Sequence, residues 1–225
     1  MSIRKTKRTK IMDVLFIIDA TGSMQKSIDA AHDKAEDLAF ELQIHNRTAS
    51  FKFGCICYRD PVDKEADQHL FFDFDQEIEN LASFLSDVKA SGGGDGPEDF
   101  VGALEIAFNK LSWREGGKRA IIWIADAPAH GKRYCGSDNH QEEEPKLEPL
   151  VEKLGRDHYY FVGLSLNGGA DRTFSEMKDI YNANGGQSFK IVSFCPEKGN
   201  ELERIKDTMK VSTINVVNEA ISDFE

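Results

Sequence analysis

A chain of 225 residues, 40% of them hydrophobic, is long enough to bury one sizeable core. Its 28 basic and 39 acidic residues leave a net charge of −11, which argues against non-specific binding of nucleic acid or an anionic membrane by the body of the protein. No apolar stretch approaches the ~18 residues of a membrane span, and no apolar segment follows the basic start, so neither stable membrane insertion nor secretion is expected and the compartment expected is the cytoplasm.

The chain opens on MSIRKTKRTK, where Arg4, Lys5, Lys7, Arg8 and Lys10 stand among polar residues. Residues 1–11 read as a flexible, solvated basic tail, with an electrostatic anchor as the alternative. Residues 12–225 read as a single domain, because no linker, repeat or low-complexity block interrupts them.

Residues 14–18 are a continuous apolar run, the pattern of a strand buried on both faces. Ile28, Ala31, Ala35, Leu38, Ala39 and Leu42 then recur every three or four residues and predict a long helix. Phe51, Phe53, Cys55 and Cys57 alternate on one face of a second strand, where the two cysteines serve as small buried hydrophobes. A short run, Leu70 to Phe72, precedes a helix carrying Ile78, Leu81, Leu85 and Val88. The loop SGGGDGPED leads into a third helix with Val101, Leu104, Phe108 and Leu111. RAIIWIADAPAHG supplies another buried strand, and residues 128–146 read as a polar loop in which Glu142 to Glu144 are solvated. A short helix, a strand over 158–164, a helix around Phe174–Tyr181 and a strand over 189–192 follow. A last helical stretch with Ile214, Val217, Ile221 and Phe224 is expected to pack on its own domain. Alternating strands and helices predict an α/β fold: a Rossmann-like, doubly wound, mostly parallel six-stranded sheet with helices on both faces.

In such sheets ligands bind at the carboxyl ends of the strands, where the strand order reverses. Asp19 ends the first strand and Asp126 the fourth, and the glycine-rich loop with Asp95 reaches the same edge. Thr21 and Ser23 follow Asp19 at alternate positions. Carboxylates and hydroxyls without clustered Cys or His suit a hard divalent cation such as Mg²⁺ or Mn²⁺. Each piece also has a plainer reading: Thr21 and Ser23 as helix caps, Pro97 with Glu98 and Asp99 as a helix start, Asp126 as a turn former. Three acids and two hydroxyls at one end of one sheet favour the metal. Cys135 with His130 and His140 suggests zinc, but no CxxC or HxxxH pair supports it.

DVLFIIDATGSM resembles the first metal loop of von Willebrand factor A domains, whose pattern is Asp-x-Ser/Thr-x-Ser. GGGDGPED and IIWIADAPAHG fall where that family places its second and third metal loops, and the resemblance covers residues 12 to about 223. Tyr58-Arg59-Asp60, Gly92 to Glu98, and Asp126 to Gly131 resemble in particular the A domains attached to alpha-kinases in protists and fungi. No kinase catalytic segment is present, so the resemblance implies a recognition module. It implies a metal-ion-dependent adhesion site with Thr21 and Ser23 as direct ligands of Mg²⁺ (or Mn²⁺ or Ca²⁺), and Asp19 and Asp126 acting directly or through water. The remaining position, a threonine in many members, falls on Asp95.

A third carboxylate makes the ion-bound site net negative by about one charge. Firm metal retention with a weaker appetite for an acidic partner side chain is therefore expected, and a neutral or basic partner surface is as plausible. Arg59, Asp60 and Glu98 are expected on the rim that faces the partner, where Arg59 either holds a partner carboxylate or pairs with neighbouring acids such as Asp63. The protein is expected to be a monomer and not an enzyme. The rival is a Mg²⁺-dependent phosphoryl-transfer enzyme of haloacid dehalogenase type with Asp19 as nucleophile, but its second acid, two residues on, is here Thr21. A scaffold with a vestigial metal site is the third reading.

Overall fold

The computed structural model describes residues 9–60, 68–94, 96–136, 140–197 and 199–224. Its strands are β1 (Lys10–Asp19), β2 (Ala49–Tyr58), β3 (His69–Asp75), β4 (Lys118–Ala125), β5 (Tyr160–Leu166) and β6 (Phe189–Phe194). The helices are α1 (Gln25–His45), α2 (Ile78–Asp87), α3 (Phe100–Asn109), α4 (Glu144–Arg156), α5 (Asp171–Ala183) and α6 (Glu201–Ser222). They form one six-stranded sheet in the order β3-β2-β1-β4-β5-β6. Only the β2–β3 pair is antiparallel.

β1 lies at the centre with both flanking strands parallel to it, so its side chains are buried on each face in turn. Met12, Val14, Phe16 and Ile18 pack with α1, α2 and α6, whereas Leu15 and Ile17 join α3, α4 and α5 in a second core cluster. This period of two, inside a run with no polar residue over 14–18, is what a doubly wound sheet demands. α6 packs on its own sheet through Ile205, Met209, Val216, Val217 and Ile221. Cys55 and Cys57 share the α1 face, with sulfurs 3.9 Å apart and both side chains buried.

Three boundaries differ from the sequence expectation. Lys10 and Ile11 belong to β1 and pair with Ala49 and Ser50, so the ladder begins inside the segment read as a tail; Arg4, Lys5, Lys7 and Arg8 lie outside the described residues. β5 starts at Tyr160, because His158 turns the chain in a left-handed conformation (φ 54°) and Tyr160 is the first residue to pair with β4. The polar segment after β4 ends at Glu144, where Pro145, whose missing N–H is harmless in a first helical turn, helps to start α4.

Candidate functional site

The strand order runs one way from β1 to β2 and the other way from β1 to β4, so the carboxyl ends of β1 and β4 flank the switch point. Asp19 is the last residue of β1, and Asp126 follows the last residue of β4. The sheet ladder carries on for one residue past Asp19, with the Ala20 amide donating to the Tyr58 carbonyl at 2.8 Å. Thr21 then takes an extended conformation (φ −70°, ψ 169°), and a single 3₁₀ turn at residues 22–24 feeds α1.

The glycine-rich loop is stitched onto this turn. Ser91 donates to the Ala20 carbonyl (3.0 Å), Gly22 to the Gly92 carbonyl (3.4 Å), and the Ala90 amide to the Gln25 side chain (2.9 Å). Gly93 sits at φ +83°, and a Cβ there would come within 3.2 Å of the Thr21 side chain, so this loop can approach Thr21 only because Gly93 has none. Glu98 forms a parallel bridge with Ala129 and donates its amide to the Pro128 carbonyl (2.9 Å), which ties the same loop to the one after β4. Asp126 is braced from behind. A Cβ on Gly169 would lie 1.7 Å from the Asp126 carbonyl oxygen, so no side chain fits between the loops after β4 and β5. The result is a cleft of about 410 Å³ lined by Thr21, Ser23, Gly93, Glu98 and Asp126 among others.

Behind Thr21 of this lining, Asp19 is fully buried. Its Oδ1 accepts hydrogen bonds from the Thr21 amide (2.9 Å) and the Thr21 hydroxyl (2.7 Å). Its Oδ2 is buried with no hydrogen-bond partner among the described residues. Burial pushes the Asp19 carboxyl up to about 7, and the charge of Asp126 adds to the rise; the Thr21 hydrogen bonds and the Arg59 charge oppose it. The apolar side of this environment is aromatic. Tyr58 is the register partner of Asp19; its hydroxyl accepts from the Trp123 indole (3.0 Å), and Phe100 stacks on Trp123 at 4.5 Å.

The plain readings can now be compared with this geometry. Neither the 3₁₀ turn nor α1 receives a side-chain capping hydrogen bond at its start, so the Thr21 hydroxyl serves Asp19 and not a helix end. Asp99, by contrast, does cap α3, accepting from the Gly102 amide at 2.7 Å. The structure therefore brings Thr21, Ser23 and Asp126 to one cleft, with Asp19 buried behind Thr21, and Asp95 lies outside the described residues. Among those described, no group of three or more His, Cys, Asp or Glu side chains is placed to hold a metal ion. A cation here would be held by two carboxylates and two hydroxyls, and the orphaned Asp19 oxygen beside Thr21 fits that donor set.

The three residues expected on the partner rim lie deeper than the sequence suggests. Arg59, Asp60 and Glu98 are 3%, 0% and 3% exposed. Arg59 donates to the Lys89 carbonyl (2.8 Å) and lends its charge to Asp19, so it anchors the glycine-loop segment from beneath. Asp63 lies outside the described residues. His130 and His140 meet edge to face at 4.9 Å and Cys135 is buried, without a metal-holding group among the described residues. Two features had no sequence signal. Gln25 straps the two loops together, and His69 stands 2.9 Å from the Asp99 carboxylate that caps α3. Both depend on which loops meet in space.

Comparisons with known proteins agree with this architecture. The sequence profile of the von Willebrand factor A domain matches residues 13–148. The chain is 30% identical over 172 residues to the alpha-protein kinase vwkA of Dictyostelium discoideum, covering 74% of this chain and 27% of that one. It is also 30% identical over 133 residues to a putative ariadne-like RING finger protein, R811, of Acanthamoeba polyphaga mimivirus, covering 59% and 12%. The chain thus spans about a quarter or less of these curated relatives. Among solved structures it resembles the pilus adhesin SpaC of Lactobacillus rhamnosus GG (TM-score 0.60, 10% identity, 95% of this chain and 31% of that one). It also resembles proximal thread matrix protein 1 of the mussel byssus (TM-score 0.58, 14% identity, 91% and 47%). At these identities the likeness concerns the fold alone.

Proposed function

The chain belongs to the von Willebrand factor A domain family, and from that premise we propose that it is a protein-interaction module whose partner docks at the carboxyl end of the sheet through a divalent cation. The observation that carries this reading is the buried Asp19 Oδ2, left without a hydrogen-bond partner among the described residues, on a carboxylate bonded to Thr21 of the cleft lining. Mg²⁺ is the first choice of ion, with Mn²⁺ or Ca²⁺ as alternatives, since the donors are hard oxygens. Thr21, Ser23, Asp19, Asp126 and Asp95 are the residues that would hold it.

A bound ion would supply a positive centre for a partner oxygen. Thr21 gives its hydroxyl proton to Asp19, which holds the carboxylate in place and keeps the Thr21 oxygen available as a donor. Arg59 and the braced loops around Gly93 and Gly169 keep the cleft preformed. With Asp95 as a third carboxylate, the loaded site carries about one negative charge, so a neutral or basic partner surface is favoured over an acidic side chain. We further propose that the chain catalyses nothing itself and works in the cytoplasm. Among the described residues no helix is long and apolar enough to cross a membrane.

Calorimetric titration of Mg²⁺ and Mn²⁺ into metal-stripped protein tests the reading, beside Asp19→Asn and Ser23→Ala variants. Saturable binding in the parent that is lost in both variants supports it, and no binding in the parent leaves a scaffold with a vestigial site. Release of phosphate from an aryl phosphate in Mg²⁺ is expected to be nil; turnover abolished by Asp19→Asn would replace this reading with phosphoryl transfer.

A further inference from the structure

The loop after β4 builds a second concavity beyond the first cleft. Asp126 and Ala127 line the first one, and the same loop runs on to Tyr134, where it meets the first turn of α4. Between them lies a groove of about 320 Å³ lined by Lys132, Arg133, Tyr134, Glu144 and Glu148 among others. Its wall is fixed by the backbone. The Gly131 carbonyl accepts from the amides of Tyr134 (3.0 Å) and Cys135 (2.8 Å), and the Arg133 amide donates to Glu144 Oε2 (3.0 Å). A Cβ on Gly131 (φ +107°) would lie 2.5 Å from that of Glu144, so the loop presses on α4 only because no side chain stands there.

Acceptors are left over in this groove. Tyr134 is buried, and its hydroxyl has no hydrogen-bond partner, although a buried phenol normally finds one. Burial pushes that hydroxyl up to about 12, so it stays neutral; the Arg133 charge opposes the rise, and those of Glu148, Glu144 and Glu176 add to it. Three of these four charges belong to the groove lining, which puts the hydroxyl on the groove side. Glu144 has no ion-pair partner among the described residues. Glu148 stands 3.4 Å from Arg133, which makes its shorter contact, 2.7 Å, with Glu176 on α5. The cations nearby are Arg133 itself, one guanidinium among three carboxylates, the exposed Lys132, and Arg172, which donates to the Lys132 carbonyl (2.9 Å). The start of α4 adds about half a positive charge, which Glu144 balances. Among the described residues no acids converge closely enough to hold a metal ion, so these acceptors suit a larger cation.

A guanidinium carries several N–H donors in a planar fork and no acceptor, and it sheds water more readily than an ammonium. It therefore complements spare groups that are two carboxylates and a phenol oxygen. The volume lies at the lower end of ligand pockets and suits one side chain. We infer that this groove seats an arginine side chain of the protein partner, with Glu144 and Glu148 as its carboxylate ligands and the Tyr134 hydroxyl as a further acceptor. The inference rests on the reading that a partner docks at the carboxyl end of the sheet, and it names that partner's chemistry there. Tyr134→Phe removes a polar group that bonds to nothing in the free protein, so its effect on binding reports the groove and not the fold.

The probe is N-acetyl-arginine methylamide, titrated into the full chain at low salt without divalent cations and followed by NMR at the amides of Arg133 and Tyr134. Saturable shifts are expected. Binding weakens about tenfold in Glu148→Gln and about threefold in Tyr134→Phe, whose thermal midpoint is unchanged or higher. It is unchanged by Glu36→Gln on the opposite face of the sheet, and about tenfold weaker for the citrulline analogue, which keeps the shape without the charge. Glu148 is exposed, so Glu148→Gln covers the case in which Tyr134→Phe does not fold. Absence of saturable shifts overturns the inference, as does equal binding of the citrulline analogue or binding that survives the Tyr134→Phe, Glu148→Gln double change. Inorganic phosphate shifting the same amides in place of the arginine probe would assign the groove to an anion and also overturn it. Because no divalent cation is present, failure here with intact Mg²⁺ binding removes the arginine site alone, and lost Mg²⁺ binding with intact probe binding removes the metal alone.

Discussion

Two carboxylates on one strand, six positions apart and both fully buried, have opposite fates. Asp13, near the amino end of β1, is completely answered: Arg114 donates its amide to Oδ2 (2.8 Å) and its Nε to Oδ1 (2.6 Å). The rest of that guanidinium donates to Ser50 Oγ and to the carbonyls of Met12 and Ser50, so each of its three nitrogens makes a hydrogen bond. Asp19, at the carboxyl end, is answered on one oxygen only among the described residues and has its carboxyl raised to about 7. A buried acid with both oxygens engaged holds a structure together, whereas one left half-engaged at a switch point is a place where something else can bind. The comparison teaches that two equally buried acids on one strand can differ in the state of the second oxygen.

The largest expected effect lies at the structural end. Arg114→Ala leaves Asp13 buried and uncompensated and should cost about 3–5 kcal/mol in denaturant unfolding, in the range for breaking a buried pair. A loss under about 1 kcal/mol would erase the contrast between the two acids.

Asp19→Asn should act in the opposite direction. Asp19 prefers its neutral form in the folded chain, so its contribution to stability is fully present below its ordinary value of 3.8. It is lost as the pH rises through about 7. In metal-stripped protein at pH 8, Asp19→Asn should therefore stabilise by up to roughly 4 kcal/mol and flatten stability between pH 4 and 7. Thermal unfolding across that pH range decides it. A variant less stable than the parent at pH 8 would mean that Asp19 is not strained.

The smallest effect sharpens the same point. Thr21→Val removes one hydrogen bond to Asp19 Oδ1 and keeps the backbone donor, at an expected cost of about 1–2 kcal/mol at pH 8, where the acceptor is charged. The cost should shrink at pH 5, where Asp19 is protonated. Equal costs at the two pH values would show that the hydroxyl does not serve the charged form.

Much of the fold was legible because burial writes itself into periodicity. The uninterrupted apolar run before Asp19 and the three-and-four spacing of α1 allow few alternatives, and alternation of strands with helices dictates a doubly wound sheet. The placement of Asp19, Thr21, Ser23 and Asp126 at one edge of the sheet was legible as well, since strand ends in such sheets converge on the switch point. Arg59 was read as a rim residue because sequence shows that it follows a strand, but not that the Lys89 carbonyl and the site acids draw it inward. The same limit hid the Gln25 strap, the His69–Asp99 contact and the Arg114 fork around Asp13, each joining segments far apart in the chain.

By itself, then, the sequence determined the strands, the helices and the acids and hydroxyls brought to one edge, because local pattern and chain topology suffice for these. Only the tertiary structure decided which of two buried aspartates is engaged on both oxygens. Hydrogen-bond satisfaction and charge compensation are settled between residues that meet only when the chain is folded.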